Sequence, residues 1–244
     1  MRFNGVDILQ AHRALSINKE IPPGMPGRDI ATVSGTLGEI VTGVDETQDE
    51  YMVRVNIAAR NRKEAWDARG ALAAWAMSSG NGTGELEPTN APGKAYSAIV
   101  KTISRPEFVF GFATVDVTFL LPAPVMHDVR ESRASVNNAR EMMLAVGGTY
   151  PAQPVITYTS GAAGSNLLFT ADGANLLRLK GSFAEKQVVV INLQTGEVTI
   201  DGAQAGDRLV YTDTDLDVLL HPGRHTIGVS RTGTLEARWR NQWA

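Results

Sequence analysis

The stretch EYMVRVNIAARNRKEAWDARGALAAWAMS, residues 50–78, decides how the rest of the chain is read. Its first part alternates, with Tyr51, Val53, Val55 and Ile57 on one side and Met52, Arg54, Asn56 and Ala58 on the other. A period of two marks a strand with one buried face. After Asn61 the period changes. Across residues 64–77 the apolar side chains recur at Ala65, Ala68, Leu72, Trp75 and Ala76, the spacing of an amphipathic helix. Trp66, Ala73 and Met77 widen that stripe, while Asp67, Ala71, Ala74 and Ser78 form the opposite face. Asn61 stands at the N-cap position with Glu64 three residues on, a capping-box pair. Ser79-Gly80-Asn81-Gly82 stops the helix. Leu72, Trp75 and Trp66 are its expected core contacts. Almost everything else reads as strand and turn, so one β layer is expected to rest on this helix.

The 244 residues suffice for one large or two modest domains. With 43% apolar and 20% charged residues the composition is that of a globular protein. A formal net charge of −3 gives no basic field for holding nucleic acid by its phosphates. Cysteine is absent, which excludes disulfides and thiolate metal sites. The first residues, Met1-Arg2-Phe3-Asn4-Gly5, lack the apolar core of a signal peptide. No uncharged apolar run reaches membrane-spanning length; residues 108–125 are interrupted by Asp116 and two prolines. Folding in a cytoplasm is expected.

Working outward from the strand–helix pair, residues 6–9 and 14–17 read as short strands. Residues 21–27 hold three prolines and read as an extended loop. Residues 30–44 are rich in Gly and Thr, and residues 45–50 form an acidic turn with four carboxylates in six positions. Residues 80–93 read as a loop. Residues 96–103 and 113–121 alternate again and predict an antiparallel pair, with Val115, Val117, Phe119 and Leu121 on one face. Pro122-Ala123-Pro124 stiffens the chain, and a domain boundary is expected just after it, giving residues 1–128 and 129–244. In the second part residues 137–146 fit a helix or a strand. The rest is a series of short strands at 155–159, 166–170, 176–179, 187–192, 197–200, 208–211, 226–230 and 234–239, a spacing that predicts a β-sandwich. Residues 187–200, with Thr195-Gly196 at the centre, form the clearest hairpin.

The chemistry-bearing residues form no constellation. Gly80-Asn81-Gly82-Thr83-Gly84 lacks the Lys-Ser/Thr of a phosphate-binding loop and follows a helix instead of preceding one. Asp213, Asp215 and Asp217 start like a calcium loop, but Val218 and Arg224 stand where Gly and Glu are required. His221 and His225 are separated by Pro222-Gly223, which breaks the helix that would aim both at one metal. Ser135, Ser160 and Ser182 lie in no nucleophile context, and the carboxylates form no acid–base pair. The chain is therefore expected to be no enzyme and to carry neither cofactor nor metal.

The order of parts resembles the distal tail protein family of long-tailed, non-contractile bacteriophages. The residues that carry the resemblance are Asn4-Gly5-Val6-Asp7, Gly27-Arg28-Asp29 after a loop, the strand-then-helix of residues 51–77 with Trp75 near its end, and the strand at 96–103. The exit at residues 119–124, the Leu-x-Pro-Gly-x-x-x-Ile of residues 220–227 and the closing strand 235–239 complete the series, which spans essentially the whole chain. The resemblance implies a mainly β fold: a β-rich α+β ring domain with one main helix over residues 1–128, then a galectin-like or carbohydrate-module-like sandwich over residues 129–244. It implies a homo-hexameric ring at the virion tail tip, assembled in the bacterial cytoplasm. The ring would join the tube of major tail protein to the tail hub and to receptor-binding or other adhesion proteins, with DNA passing through its lumen without specific binding. The open strand edges read from the sequence suit a closing head-to-tail contact between copies. The alternative is a carbohydrate-binding module or adhesin at the host surface. Its platform would use Tyr150, Tyr158, Tyr211 and Trp243, the aromatic candidates of the second part.

Overall fold

Asp49–Ala58 is a strand, and Tyr51, Val53, Val55 and Ile57 are its buried side. The computed structural model describes residues 1–23, 27–32, 39–45, 49–80, 82–109 and 111–244. They are mainly β and divide into two compact units, Met1–Val129 and Arg130–Trp243, each closed around its own apolar core.

In the first unit Asp49–Ala58 pairs antiparallel with Phe112–Leu121 on one side and Leu15–Ile21 on the other. The register sets Val53 opposite Val117 and Val55 opposite Val115, so one face is continuously apolar. Lys94–Ile103 pairs with Phe112–Leu121 through its second half and with Gly84–Glu87 through its first, and Gly84–Glu87 in turn pairs with Arg2–Phe3. One long strand thereby carries the chain from one part of the sheet to the other. The helix Arg62–Ala76 lies over the apolar face, burying Ala65, Ala68, Leu72, Trp75 and Ala76. Trp75 packs its ring against Phe3 at 5.9 Å and Phe119 at 6.3 Å between centroids. Its indole N–H donates to the Val6 carbonyl at 2.9 Å, so the buried ring leaves no unpaired donor. Asn61 caps the helix, its side chain accepting from the Glu64 N–H at 3.0 Å. Glu64 reaches back one residue further than a capping box requires and accepts from the Arg60 N–H at 2.9 Å.

Trp66 does not join the core. It lies next to Ala65 in sequence, hence about 100° further round the helix, and that turn carries it off the buried stripe to 50% exposure. Met77 is likewise exposed and opens the short 3₁₀ turn Met77–Ser79 that ends the helix. The expected helix of residues 64–77 is thus displaced toward its N-terminus. The expected strand at 6–9 is shorter, because the Asp7 side chain accepts from the Leu9 N–H at 2.9 Å and caps a single turn, Ile8–Ala11. The expected loop at 80–93 contains the strand Gly84–Glu87. Within residues 21–44, Gly27–Thr32 and Glu39–Asp45 pair as an antiparallel hairpin instead of running as loop. The centre of the Pro-rich segment (24–26), residues 33–38, the middle of the acidic turn (46–48), Asn81 and Phe110 lie outside the described residues.

The second unit is organised by two long strands. Ser132–Val146 and Gly223–Trp239 pair antiparallel along almost their whole length, from Ser132 with Trp239 to Val146 with Gly223. The first part of Gly223–Trp239 also pairs with Gly164–Ala171, which continues to Ala174–Phe183. Its second part pairs with Val155–Ser160, followed by Val188–Asn192 and Glu197–Ile200. The ribbon therefore joins the two groups of strands into one eight-stranded sheet. It bends where the register shifts between Val136 and Glu141, with Asn138 at a φ of 52°; bulges of this kind let strands switch sheets. Met142, Leu144, Ile227, Val229, Leu235 and Trp239 point from it into the core beside Tyr158, Phe169 and Phe183.

Several expectations change here. Residues 226–230 and 234–239 are one strand, and Gly233 between them is no turn. A Cβ there would collide with the Thr159 carbonyl and the Tyr158 ring, so glycine is required by close approach. Residues 137–146 resolve as strand. Residues 208–211 are no strand: the 3₁₀ turns Gly206–Arg208 and Tyr211–Asp213 occupy the region. The hairpin of residues 187–200 is present, but its connection is 193–196, since Asn192 pairs with Glu197.

A charged clamp fastens the turn at Asp172-Gly173. Asp172 accepts from the Thr226 N–H at 2.7 Å, and its second oxygen lies 2.6 Å from His225 Nδ1. The other ring nitrogen, Nε2, lies 2.6 Å from the His221 carbonyl. Both ring nitrogens face acceptors, which only the protonated imidazole satisfies. Burial opposes the charge on His225, but the Asp172 carboxylate and the His221 carbonyl outweigh it and hold its pKa above the usual value. The His225 contact, with the Thr226 N–H behind it, holds the Asp172 carboxyl below its usual range.

Two predictions follow from this packing and this clamp. Leu72→Ala should cost about 2–5 kcal/mol, whereas Trp66→Ala should stay within about 0.5 kcal/mol, both read from urea midpoints. Equal losses would mean the helix is turned the other way. Second, the raised His225 pKa gives stability that is complete below about pH 6.5 and is lost as pH rises through the folded value. The lowered Asp172 pKa gives stability present above about pH 3.9 and lost as pH falls through its folded value. The melting temperature should therefore decline from pH 6 toward pH 9, and Asp172→Asn should flatten that decline. Parallel profiles for the two proteins would show that the clamp contributes nothing.

Candidate functional site

The first unit exposes apolar side chains where its sheet stops. Glu107–Val109 pairs only with Phe112–Leu121 among the described residues, so one side of this short strand is an open edge. In that pairing Phe108 stands opposite the buried Ala113, facing the helix side, and Val109 stands opposite Phe112 on the other side. The hairpin tip is therefore apolar on both faces, with Val109 56% and Phe112 44% exposed. Trp66 joins it from the helix: with Arg62, Ala65, Pro106 and Phe108 it surrounds a hollow of about 200 Å³. Arg69 lies over the Trp66 ring at 5.5 Å and donates to the Ile103 and Ser104 carbonyls at 2.9 and 2.8 Å. At the far side of the same sheet Leu15–Ile21 pairs, among the described residues, along one side only, leaving a second open edge with Ile21 exposed. Open edges and grouped exposed aromatics are features of surfaces that assemble. Sequence periodicity misses this surface, because it assigns Trp66 to the core and cannot show where a sheet ends.

The aromatic residues predicted for the second unit do not form one platform. Tyr158 is buried, stacked edge-on against Phe169 at 5.6 Å, and its hydroxyl donates to the Thr232 carbonyl at 3.2 Å. It is a core residue and offers a ligand nothing. Its strand alternates, and position 158 takes the inward phase with Ile156. Tyr211 is 74% exposed in a 3₁₀ turn, its hydroxyl donating to the Gly206 carbonyl at 3.1 Å. Tyr150 and Trp243 are half-buried, and the Tyr150 N–H donates to the Gln242 carbonyl next to Trp243 in the chain.

The acidic triplet is spread among protein partners. Asp213 is paired with Arg178 at 2.9 Å, and Asp215 accepts from the Asp217 N–H at 3.1 Å. His225 has both ring nitrogens engaged as described. Among the described residues no group of three His, Asp or Glu side chains is placed to hold a metal ion, and no helix is long and apolar enough to cross a membrane.

Comparison with known proteins gives three findings. Residues 147–243 match the family model of the siphovirus-type tail component, C-terminal domain. The whole chain superposes on the crystal structure of the Dit protein of phage SPP1, described as a paradigm of the hub adsorption apparatus in phages infecting Gram-positive hosts. The TM-score is 0.79 at 12% identity, covering 100% of this chain and 98% of that one. Chains of the phage P2 baseplate in its activated conformation, with calcium or with strontium, align at TM-scores of 0.52 and 0.53, each at 9% identity over 93% of this chain and 90% of theirs. No curated protein matches the sequence. The resemblance read from the sequence therefore rests on a match of residues 147–243 to that family model and on a fold like that of SPP1 Dit over the whole chain.

Proposed function

We propose that this chain is a structural protein of the virion tail tip of a long-tailed, non-contractile phage. Six copies close into a hub ring that connects the tail tube to the tail hub and the host-recognition apparatus. The observation that carries this reading is the fold likeness to SPP1 Dit over the full length of both chains. Residues 1–128 form the ring. Their two open strand edges are different surfaces of one chain, as a head-to-tail contact that closes on itself requires. The exposed Trp66, Val109 and Phe112 become buried between copies. Residues 129–244 face outward and carry adhesion proteins; their core closes without help from the first unit. The lumen passes DNA without binding it specifically. The role is architectural and not catalytic, and assembly takes place in the cytoplasm of the host bacterium.

Light scattering on the full chain should give a single closed species of six copies, with no growth into filaments. Residues 1–128 alone should still associate, and residues 129–244 alone should be a folded monomer. A monomeric full chain would overturn the ring. A monomeric first fragment beside an oligomeric second would move the contact onto the sandwich.

A further inference from the structure

On the outward face of the second unit's sheet, a hollow of about 390 Å³ is lined by Arg133, Ser135, Val155, Thr157, Glu236 and Arg238, with Ala134 and Ala237 at its base. A volume of that order suits a small ligand. The register sets Arg133 directly opposite Arg238, and Ser135 opposite Glu236, which stands opposite Thr157. Like charges facing each other across a sheet weaken the pairing, so the fold gains nothing from this arrangement. Arg133 holds Glu131 at 3.2 Å, but Glu131 does not line the hollow. Among the described residues neither Arg238 nor Glu236 has an ion-pair partner, although they stand two residues apart on one face. Two guanidinium groups, a carboxylate and two hydroxyls thus converge on one concavity without satisfying one another.

We infer that this hollow is a binding site for an oxyanion-bearing polyol, such as an acidic or phosphorylated sugar. The two arginines form one row, and forked guanidinium donors match the paired oxygens of a carboxylate or phosphate. Ser135, Glu236 and Thr157 form a second row, two residues further along the strands and therefore about 7 Å away, roughly the length of a sugar ring with its acidic substituent. Glu236 accepts from ligand hydroxyls and, being negative, turns the oxyanion toward the arginine row. No aromatic ring lines the hollow, so the binding is polar and weak per site; repetition in an assembly would strengthen it. The inference does not depend on the ring reading.

The test is calorimetric titration of the full chain at low salt with glucuronate, glycerol phosphate, acetate and glucose. At least one of the first two should bind in the millimolar range, more tightly than acetate, and glucose should not. Whichever acidic probe binds tighter identifies the anion as carboxylate or phosphate. Arg238→Gln should weaken binding about tenfold without lowering the melting temperature, because it removes a like-charge pair. Glu236→Gln should narrow the margin of the acidic polyol over acetate. Glucose binding as well as glucuronate, no heat from either acidic probe, or unchanged affinity in Arg238→Gln would each overturn the assignment.

Discussion

The first unit depends on burying one stripe of one helix. Leu72 and Trp75 fill the space over the sheet, and Phe3, Phe119 and the Trp75 ring meet in a single aromatic cluster. Those three residues come from the start of the chain, the helix and the strand Phe112–Leu121, so the cluster ties together segments far apart in sequence. The indole hydrogen bond to the Val6 carbonyl adds direction to what apolar packing alone leaves loose. Having spent its apolar stripe this way, the helix has no second face to bury, and Trp66 stays outside, exposed like Val109 and Phe112.

How much of this was legible in the sequence varies with the range of the interaction. The alternation of residues 51–58, the stripe of the helix and the Asn61 cap are local, and the structure has them within about two residues, the usual fuzziness of element ends. The hairpin of residues 187–200 was equally legible. Gly27–Thr32 and Glu39–Asp45 were not, because strands rich in Gly, Thr and polar residues show no period of two. Gly233 misled for a different reason: a glycine that admits a neighbouring backbone looks, in sequence, like one that makes a turn. Tyr158 reads from the sequence as a possible ligand contact because residue type and position are visible there and facing direction is not.

The two surfaces proposed to assemble and to bind a ligand were hidden for one reason. Arg133 faces Arg238, and Val109 faces Phe112, only once strand register is fixed, and register between strands is not written in either strand alone. What the sequence did carry was the order of segments, which led to the tail-protein resemblance without any catalytic or metal-binding motif.

The ribbon of Ser132–Val146 and Gly223–Trp239 has a kinetic consequence. It joins the first strand of the second unit to the last long one, and the other strands of the eight-stranded sheet attach through it. Pairing strands so distant in sequence requires a large loop to close before the contacts reward it, which slows folding. On the ribosome the hairpins Gly164–Phe183 and Val188–Ile200 can form early, yet they have no shared partner until Gly223–Trp239 has emerged. The sandwich is thus expected to fold late and all at once, while the first unit, whose core residues run from Met1 to Met126, folds ahead of it.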